Sequence, residues 1–250
     1  EAAFSLGVAT VAPRDLNDGA RGFADAFGAQ IGIPAPTVPG SVLAGVLSGI
    51  ELNYRFSPRL AVGLAADYMK GANRSAFDYI GDVTTATVET RPAARAVPVK
   101  LVARYYPARG VYVRGGIGFY AVKVSYLYRV GWPQLQEQWR GAATASAVGG
   151  EVAFGGEWEP AARTALFIEA GFRYARFTHL TGQDVYTNAV GTETTIGTLY
   201  RWNEQDPGAD AYTHLFILAA PPDDVGISDA RAAVVNLSGA AIRAGVRYRF

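Results

Sequence analysis

From Ala240 to Phe250, apolar and polar side chains alternate without a break. Ala240, Ile242, Ala244, Val246, Tyr248 and Phe250 share one face, and Ala241, Arg243, Gly245, Arg247 and Arg249 share the other. A period of two marks a strand with two chemically different faces. The pattern recurs through the chain. It predicts strands over 2–12, 42–56, from Leu60 through Tyr68, and over about 94–106, 111–129, 142–158, 164–177 and 232–250. In the fourth, Val97, Val99, Leu101, Ala103 and Tyr105 oppose Lys100, Arg104 and Tyr106. Pro98 has no N–H for a ladder bond, which predicts a bulge there. In the fifth, the apolar phase passes from Ile117 and Phe119 to Val122, Val124, Tyr126 and Tyr128, which predicts a second bulge near Tyr120–Val122.

The connections alternate in length. Tight turns are expected at 57–59, 107–110 and 159–163. Long loops are expected at about 13–41, 70–92, 130–141 and 178–231. In the first loop, LNDGARGFADAFGAQ has the spacing of a short helix, with Asn17 or Asp18 as its cap. TTATVET is expected to extend a hairpin, and TETTIGTLYRW at 192–202 to form a further strand. The fold class is all-β: an eight-stranded antiparallel up-and-down transmembrane β-barrel with long extracellular loops, in a single domain over 1–250. Even strand number with short turns at one end and long loops at the other is the pattern of such barrels.

Composition narrows the picture. Charged residues are 18%, there are 29 glycines, and cysteine is absent. No disulfide or thiolate metal site can form. A net charge of +1 gives no field that would draw nucleic acid. No apolar run approaches the roughly 18 residues of a transmembrane helix. With Glu1 first and no leader, the chain reads as a mature form whose signal peptide is gone.

Alternation alone does not say which face points out. The apolar face carries aromatics near the strand ends: Tyr54, Phe56, Tyr105, Trp158, Tyr248 and Phe250 at the turn end, Tyr68, Tyr126, Phe172 and Tyr174 nearer the loops. Two such belts fit a membrane's two interfaces. The polar face mixes small residues with charges of both signs, as a narrow lumen needs. The expected lumen network comprises Glu51, Arg55, Asp67, Lys100, Arg104, Arg114, Glu151, Glu157, Glu169, Arg173, Arg243 and Arg247, with Glu51–Arg55 and Glu169–Arg173 as same-face neighbours. Gly115, Gly116 and Gly118 are expected to allow close packing inside the barrel.

The aromatic ending, Tyr248 and Phe250, resembles the C-terminal strand of bacterial outer-membrane barrels, where it serves as an assembly signal. The whole chain resembles the small outer-membrane barrels of the OmpA/OmpX type and the OmpW-like group. That resemblance implies a Gram-negative outer membrane, periplasmic termini and extracellular loops. It also implies outer-membrane lipid and lipopolysaccharide as surroundings, and insertion by the barrel assembly machinery. The functional expectation is a non-enzymatic surface protein whose loops form a binding or assembly surface. A passive conduit for small or apolar solutes, as in OmpW-like proteins, is the alternative.

Loop residues supply the remaining candidates. His179-Leu180-Thr181-Gly182 resembles the His-x-Ser pattern of PagL-type lipid A deacylases, with Thr in place of the Ser nucleophile, and implies a lipid-modifying esterase as a third reading. Asp210, Asp223, Asp224 and Asp229 are either solvated loop acids or ligands for Ca2+; no cofactor is expected. Residues 178–231 carry eight acids and two bases, a net −6, against +7 for the rest. Leu215, Phe216, Ile217 and Leu218 are either a contact for a protein partner or a plug in the barrel mouth.

Overall fold

The computed structural model describes residues 1–33, 38–80, 85–132, 135–205 and 211–250. In chain order the elements are β1 (Ala2–Thr10), α1 (Arg14–Gln30), β2 (Ala44–Ser57), β3 (Leu60–Ala72), β4 (Ser75–Ile80) and β5 (Thr85–Thr90). There follow β6 (Ala93–Ala108), β7 (Val111–Gly131), β8 (Gln136–Ala161), β9 (Thr164–Tyr174), β10 (Arg176–Phe177) and β11 (Thr181–Thr187). The last are β12 (Thr192–Gln205), β13 (Ala211–Leu218), β14 (Ile227–Ala232), β15 (Val235–Asn236) and β16 (Gly239–Tyr248). The protein is all-β and its sheet is antiparallel, with one helix among the described residues.

Eight strands pair in the order β1-β2-β3-β6-β7-β8-β9-β16, and β16 pairs back onto β1, so the ladder closes into a ring. Successive side chains point in and out. In β6, Arg95, Val97, Val99, Leu101, Ala103 and Tyr105 face out while Ala94, Ala96, Pro98, Lys100, Val102, Arg104 and Tyr106 are covered. The short turns lie at one end. At the first, the Ser57 hydroxyl accepts from the Arg59 and Leu60 amides at 3.2 and 3.1 Å, a side-chain mimic of a backbone turn. At the second, Gly110 holds φ +76°, open to glycine at no steric cost.

Beyond the ring the sheet continues. β7 leaves β6 and takes β5 as partner at Tyr128–Gly131. β8 leaves β9 and takes β11 at Gln138–Thr144. β12 and β13 extend that edge, and β14 pairs with β12. Much of the segments expected as loops is therefore strand: 130–131 and 136–141 continue the β7–β8 hairpin, and 192–202 lies within β12. Of TTATVET, Thr85–Thr90 forms β5, and Thr84 lies outside the described residues.

Several expectations are corrected. Neither bulge occurs, because the β6–β7 register runs unbroken from Ala93↔Ser125 through Pro98↔Tyr120 to Tyr105↔Val113, and β7–β8 is continuous throughout. The phase change in β7 has another cause. Tyr120, Val122, Val124, Tyr126 and Tyr128 have the same inward parity as Arg114, and the interior itself turns apolar. Tyr126 is therefore buried and leaves the outer belt. The final strand begins at Gly239 rather than 232, because residues 233–237 cross the ring mouth instead. There the Ala233 amide donates to the Leu199 carbonyl and the Leu237 amide to the Ala175 carbonyl, both at 2.8 Å. The helix begins at Arg14, so Asn17 and Asp18 lie inside it. Asn17 instead fastens the β2 approach, accepting from the Val42 amide at 2.9 Å and donating to its carbonyl at 3.1 Å.

Helix α1 closes the loop end. Leu16, Ala20 and Ala24 are buried beneath it. At Gly22 a Cβ would stand 1.9 Å from the Thr213 carbonyl oxygen, so only glycine lets helix and β13 approach this closely.

Candidate functional site

Inside the ring, four carboxylates and four cations form one circuit. Glu51 on β2 accepts from the Arg104 Nη2 at 2.8 Å and from the Arg114 Nε at 3.2 Å, and the Arg104 Nη1 stands 2.7 Å from its other oxygen. Arg114 also bonds Glu151, which accepts from Lys100 at 2.7 Å. Lys100 bonds Asp67 in turn. Asp67 lies 3.5 Å from Arg243, and Arg243 donates twice to Glu169, at 2.8 and 2.5 Å. Arg114 stands 3.7 Å from Glu169 and closes the loop. Charges balance, which offsets the cost of burying each one.

A second cluster sits nearer the turns. Arg247 bonds Glu157 and, at 3.0 Å, the Tyr106 hydroxyl. Arg249 donates to Glu157 at 2.7 Å, to Glu1 at 3.2 Å and to Glu159. Arg55 reaches Glu1 at 3.0 Å and Glu157 at 3.8 Å. Arg104 and Arg247 lie over the Tyr112 ring, 5.1 and 5.5 Å from its centre, adding cation–π attraction.

Eleven of the twelve residues expected in the network make ion pairs within it, but the pairings differ from those read along the strand. Residues four apart on a strand stand about 13 Å apart. Glu169 instead meets Arg243, directly opposite on the neighbouring strand. The twelfth, Arg173, lies within ion-pair distance of no carboxylate among the described residues. It donates to the Leu237 carbonyl at 2.7 and 2.9 Å and to the Thr10 carbonyl at 3.1 Å, pinning the segment that crosses the mouth.

Sequence reading missed other charged residues. Asp15 receives Arg231 at 2.7 and 2.9 Å and the Val234 amide at 2.8 Å; an acid in a helix's first turn was the available signal. Glu89 collects Arg74 and Arg91, both at 2.5 Å, and Arg129 at 3.3 Å. Burial pushes the Glu89 carboxyl up, but the Arg91 and Arg74 bonds outweigh it and hold the group below its ordinary range.

Above the charged circuit the interior is apolar and aromatic. Phe23 of the helix stacks on Tyr128 at 4.6 Å, and Tyr126 on Tyr128 at 4.8 Å. Leu215 and Ile217 are buried here and fill the mouth, while Phe216 and Leu218 are half-buried. Phe216 packs edge-on against Tyr126, Tyr128 and Trp139. Two open clefts of about 470 Å3 flank Phe216 and Trp139. One reaches Phe27, Trp132 and His214; the other reaches Asp184, Tyr186 and Trp202. Burial pushes the Asp184 carboxyl up to about 6, against the pull of the Tyr126 hydroxyl and the Val185 amide.

The circuit leaves little room. The space beside Asp67, Arg114, Glu151, Arg173 and Arg243 measures about 30 Å3, room for little more than water. His179 is exposed, with φ 55°, and its ring meets the Thr178 hydroxyl at 3.1 Å rather than that of Thr181. Asp229 bonds Arg201, and Asp210 lies outside the described residues. Among the described residues no three His, Asp or Glu side chains converge as ion ligands would. Comparison with known protein families, curated proteins and solved structures finds no match.

Proposed function

We propose that this chain is a non-enzymatic outer-membrane protein: an eight-stranded transmembrane β-barrel whose loop end forms a binding or assembly surface and whose lumen is shut by its own charges. The observation that carries this reading is the inversion of the ring. Phe4, Leu6, Ile50, Leu52, Leu64, Val99, Leu101, Ile117, Phe154 and Ile168 stand exposed on its outside, while Arg104, Arg114, Arg247 and Lys100 are buried within. A water-soluble protein rarely exposes more than a few hundred Å2 of continuous apolar surface, and this band encircles the ring. Its height fits a bilayer. From Tyr105 to Val97 on β6, eight steps of about 3.4 Å tilted by about 40° rise about 21 Å, close to the apolar band of known barrels.

On this reading the turns face the periplasm and the crown of helix and extra strands faces outward. Lipid surrounds the band, and the barrel assembly machinery inserts it. Purified protein should require detergent and should migrate faster on a gel unboiled than boiled. Solubility without detergent, with one band either way, overturns the proposal. The conduit reading predicts steady conductance in planar bilayers; a lumen spanned by the ion-pair circuit should be silent. For the esterase reading, His179→Ala should leave lipid A acyl chains unchanged, since the Thr181 hydroxyl is not paired with that ring.

A further inference from the structure

The outer face of the ring changes character along one arc. On β3, β6 and β7, the aliphatic column ends at Tyr68, Val97 and Ala121, and the next outward residues are Lys70, Arg95 and Lys123. The ladder sets these three side by side: Lys70 pairs with Arg95, and Arg95 with Lys123. Like charges directly opposite on neighbouring strands repel. Arg140 on β8 lines the same cleft. On the opposite arc, the outward residues toward the loop end are Val8, Val46, Ile242 and Phe172, without charge.

The protein shows how it treats such a row elsewhere. Inside the ring Arg104 stands directly opposite Arg114, and Glu51 bridges them. At the edge of this same cleft, Arg74 and Arg91 share Glu89. Lys70, Arg95, Lys123 and Arg140 have no such carboxylate among the described residues, and no Asp or Glu lines the open cleft of about 810 Å3 that they surround. Beneath it runs a shallower groove bordered by Tyr68, Val97, Ala121 and Ala145, and Arg95 and Lys123 line both.

We propose that this arc is a binding site for a phosphate-bearing amphiphile. The phosphate bridges Arg95 and Lys123 with Lys70 and Arg140 beside it, and an acyl chain descends the groove past Val97 and Ala121. The proposal rests on the membrane reading, because it sets the cations at the upper margin of the lipid-facing band, where a headgroup phosphate sits. The anion takes the place that Glu51 holds inside the ring. The neighbouring groove supplies what a free phosphate would not use.

The test uses the full chain in neutral detergent, titrated with phosphatidic acid or phosphatidylcholine and read by native mass spectrometry. One phosphatidic acid should be retained, with at least about tenfold preference over phosphatidylcholine. At about fivefold per cation near a charged surface, the double variant R95Q/K123Q should weaken phosphatidic acid retention about 25-fold. Both side chains face outward, and gel mobility before and after boiling reports that the variant is folded. R59Q at a short turn should change nothing. Glycerol 3-phosphate has the phosphate without the chains. If it competes as well as phosphatidic acid, the site is a free-anion site and the lipid claim is overturned. Equal retention of the two lipids, or retention unmoved by R95Q/K123Q, overturns the site altogether. Failure of the membrane reading shows separately, as loss of heat-dependent mobility in the unmodified protein.

Discussion

The lower and upper halves of the ring's interior are built by the same strands with the same inward parity, yet they hold opposite chemistry. β7 shows both. Arg114 points into a circuit of charges, while Tyr120 to Tyr128 point into aromatic and aliphatic side chains. In the lower half the walls face each other directly, and each long cation reaches a carboxylate on another strand. In the upper half, α1, Leu215, Ile217 and residues 233–237 fill the space. Apolar filling can come from any segment of suitable volume, whereas a charge must be met by an opposite charge at a fixed place. The lower half should therefore be specific and brittle, the upper half plastic.

The largest test of that contrast is Glu51→Gln. It leaves Arg104 and Arg114 without their shared carboxylate, and should cost about 3–5 kcal/mol, as breaking a buried pair does. Urea titration in micelles, read by the folded gel band, measures it. Adding Arg104→Met should recover part of the loss; full additivity would mean the two residues are not coupled. Leu215→Ala should cost about 2–4 kcal/mol, a cavity the upper half can partly collapse into. If it proves costlier than Glu51→Gln, the contrast is reversed.

Asp184 sharpens the upper half through pH. Its carboxyl titrates near 6 when folded against an ordinary 3.8, so the folded protein holds more protons between those values. Stability from this group is full below pH 3.8 and is lost as pH rises through 6. Asp184→Asn should abolish that dependence and, allowing for solvent screening, stabilise the protein at pH 8 by about 1–2 kcal/mol. A variant whose stability still falls between pH 4 and 6 places the titration elsewhere. The smallest effect should come from Arg249→Gln at the turn-end rim. Its own side chain is partly exposed, and Glu1 and Glu157 keep Arg55 and Arg247 as partners, so its loss should cost about 1 kcal/mol or less and shrink further in high salt.

Alternation made the eight ring strands legible, together with the parity of every network residue, because a period of two survives whatever the side chains touch. It could not say which carboxylate meets which cation. That depends on register between strands distant in sequence, as with Arg114 and Glu51. It also misread β7, where an apolar interior mimicked a shifted phase. The crown was the least legible part. TTATVET and 192–202 point to β5 and β12, but β4, β11, β13 and β14 do not read as strands from the sequence, and their places follow from packing on α1 and on each other. The run at 215–220 reads as a contact or a plug from its composition alone; strand parity turns Leu215 and Ile217 into the interior and leaves Phe216 and Leu218 half-buried.

The β7–β8 hairpin bears on the order in which the molecule forms. Its rungs run from Val111↔Gly156 to Gly131↔Gln136, so its nearest partners are a few residues apart. β1 and β16, by contrast, join Ala2 to Tyr248 across nearly the whole chain. Local contacts cost little loop entropy and form early; distant ones must wait. The hairpin should be protected first in pulsed hydrogen exchange during refolding, and the β1–β16 seam last. Until that seam zips, both strands present unpaired edges, and the nascent ring is a clasp that another edge could hold open.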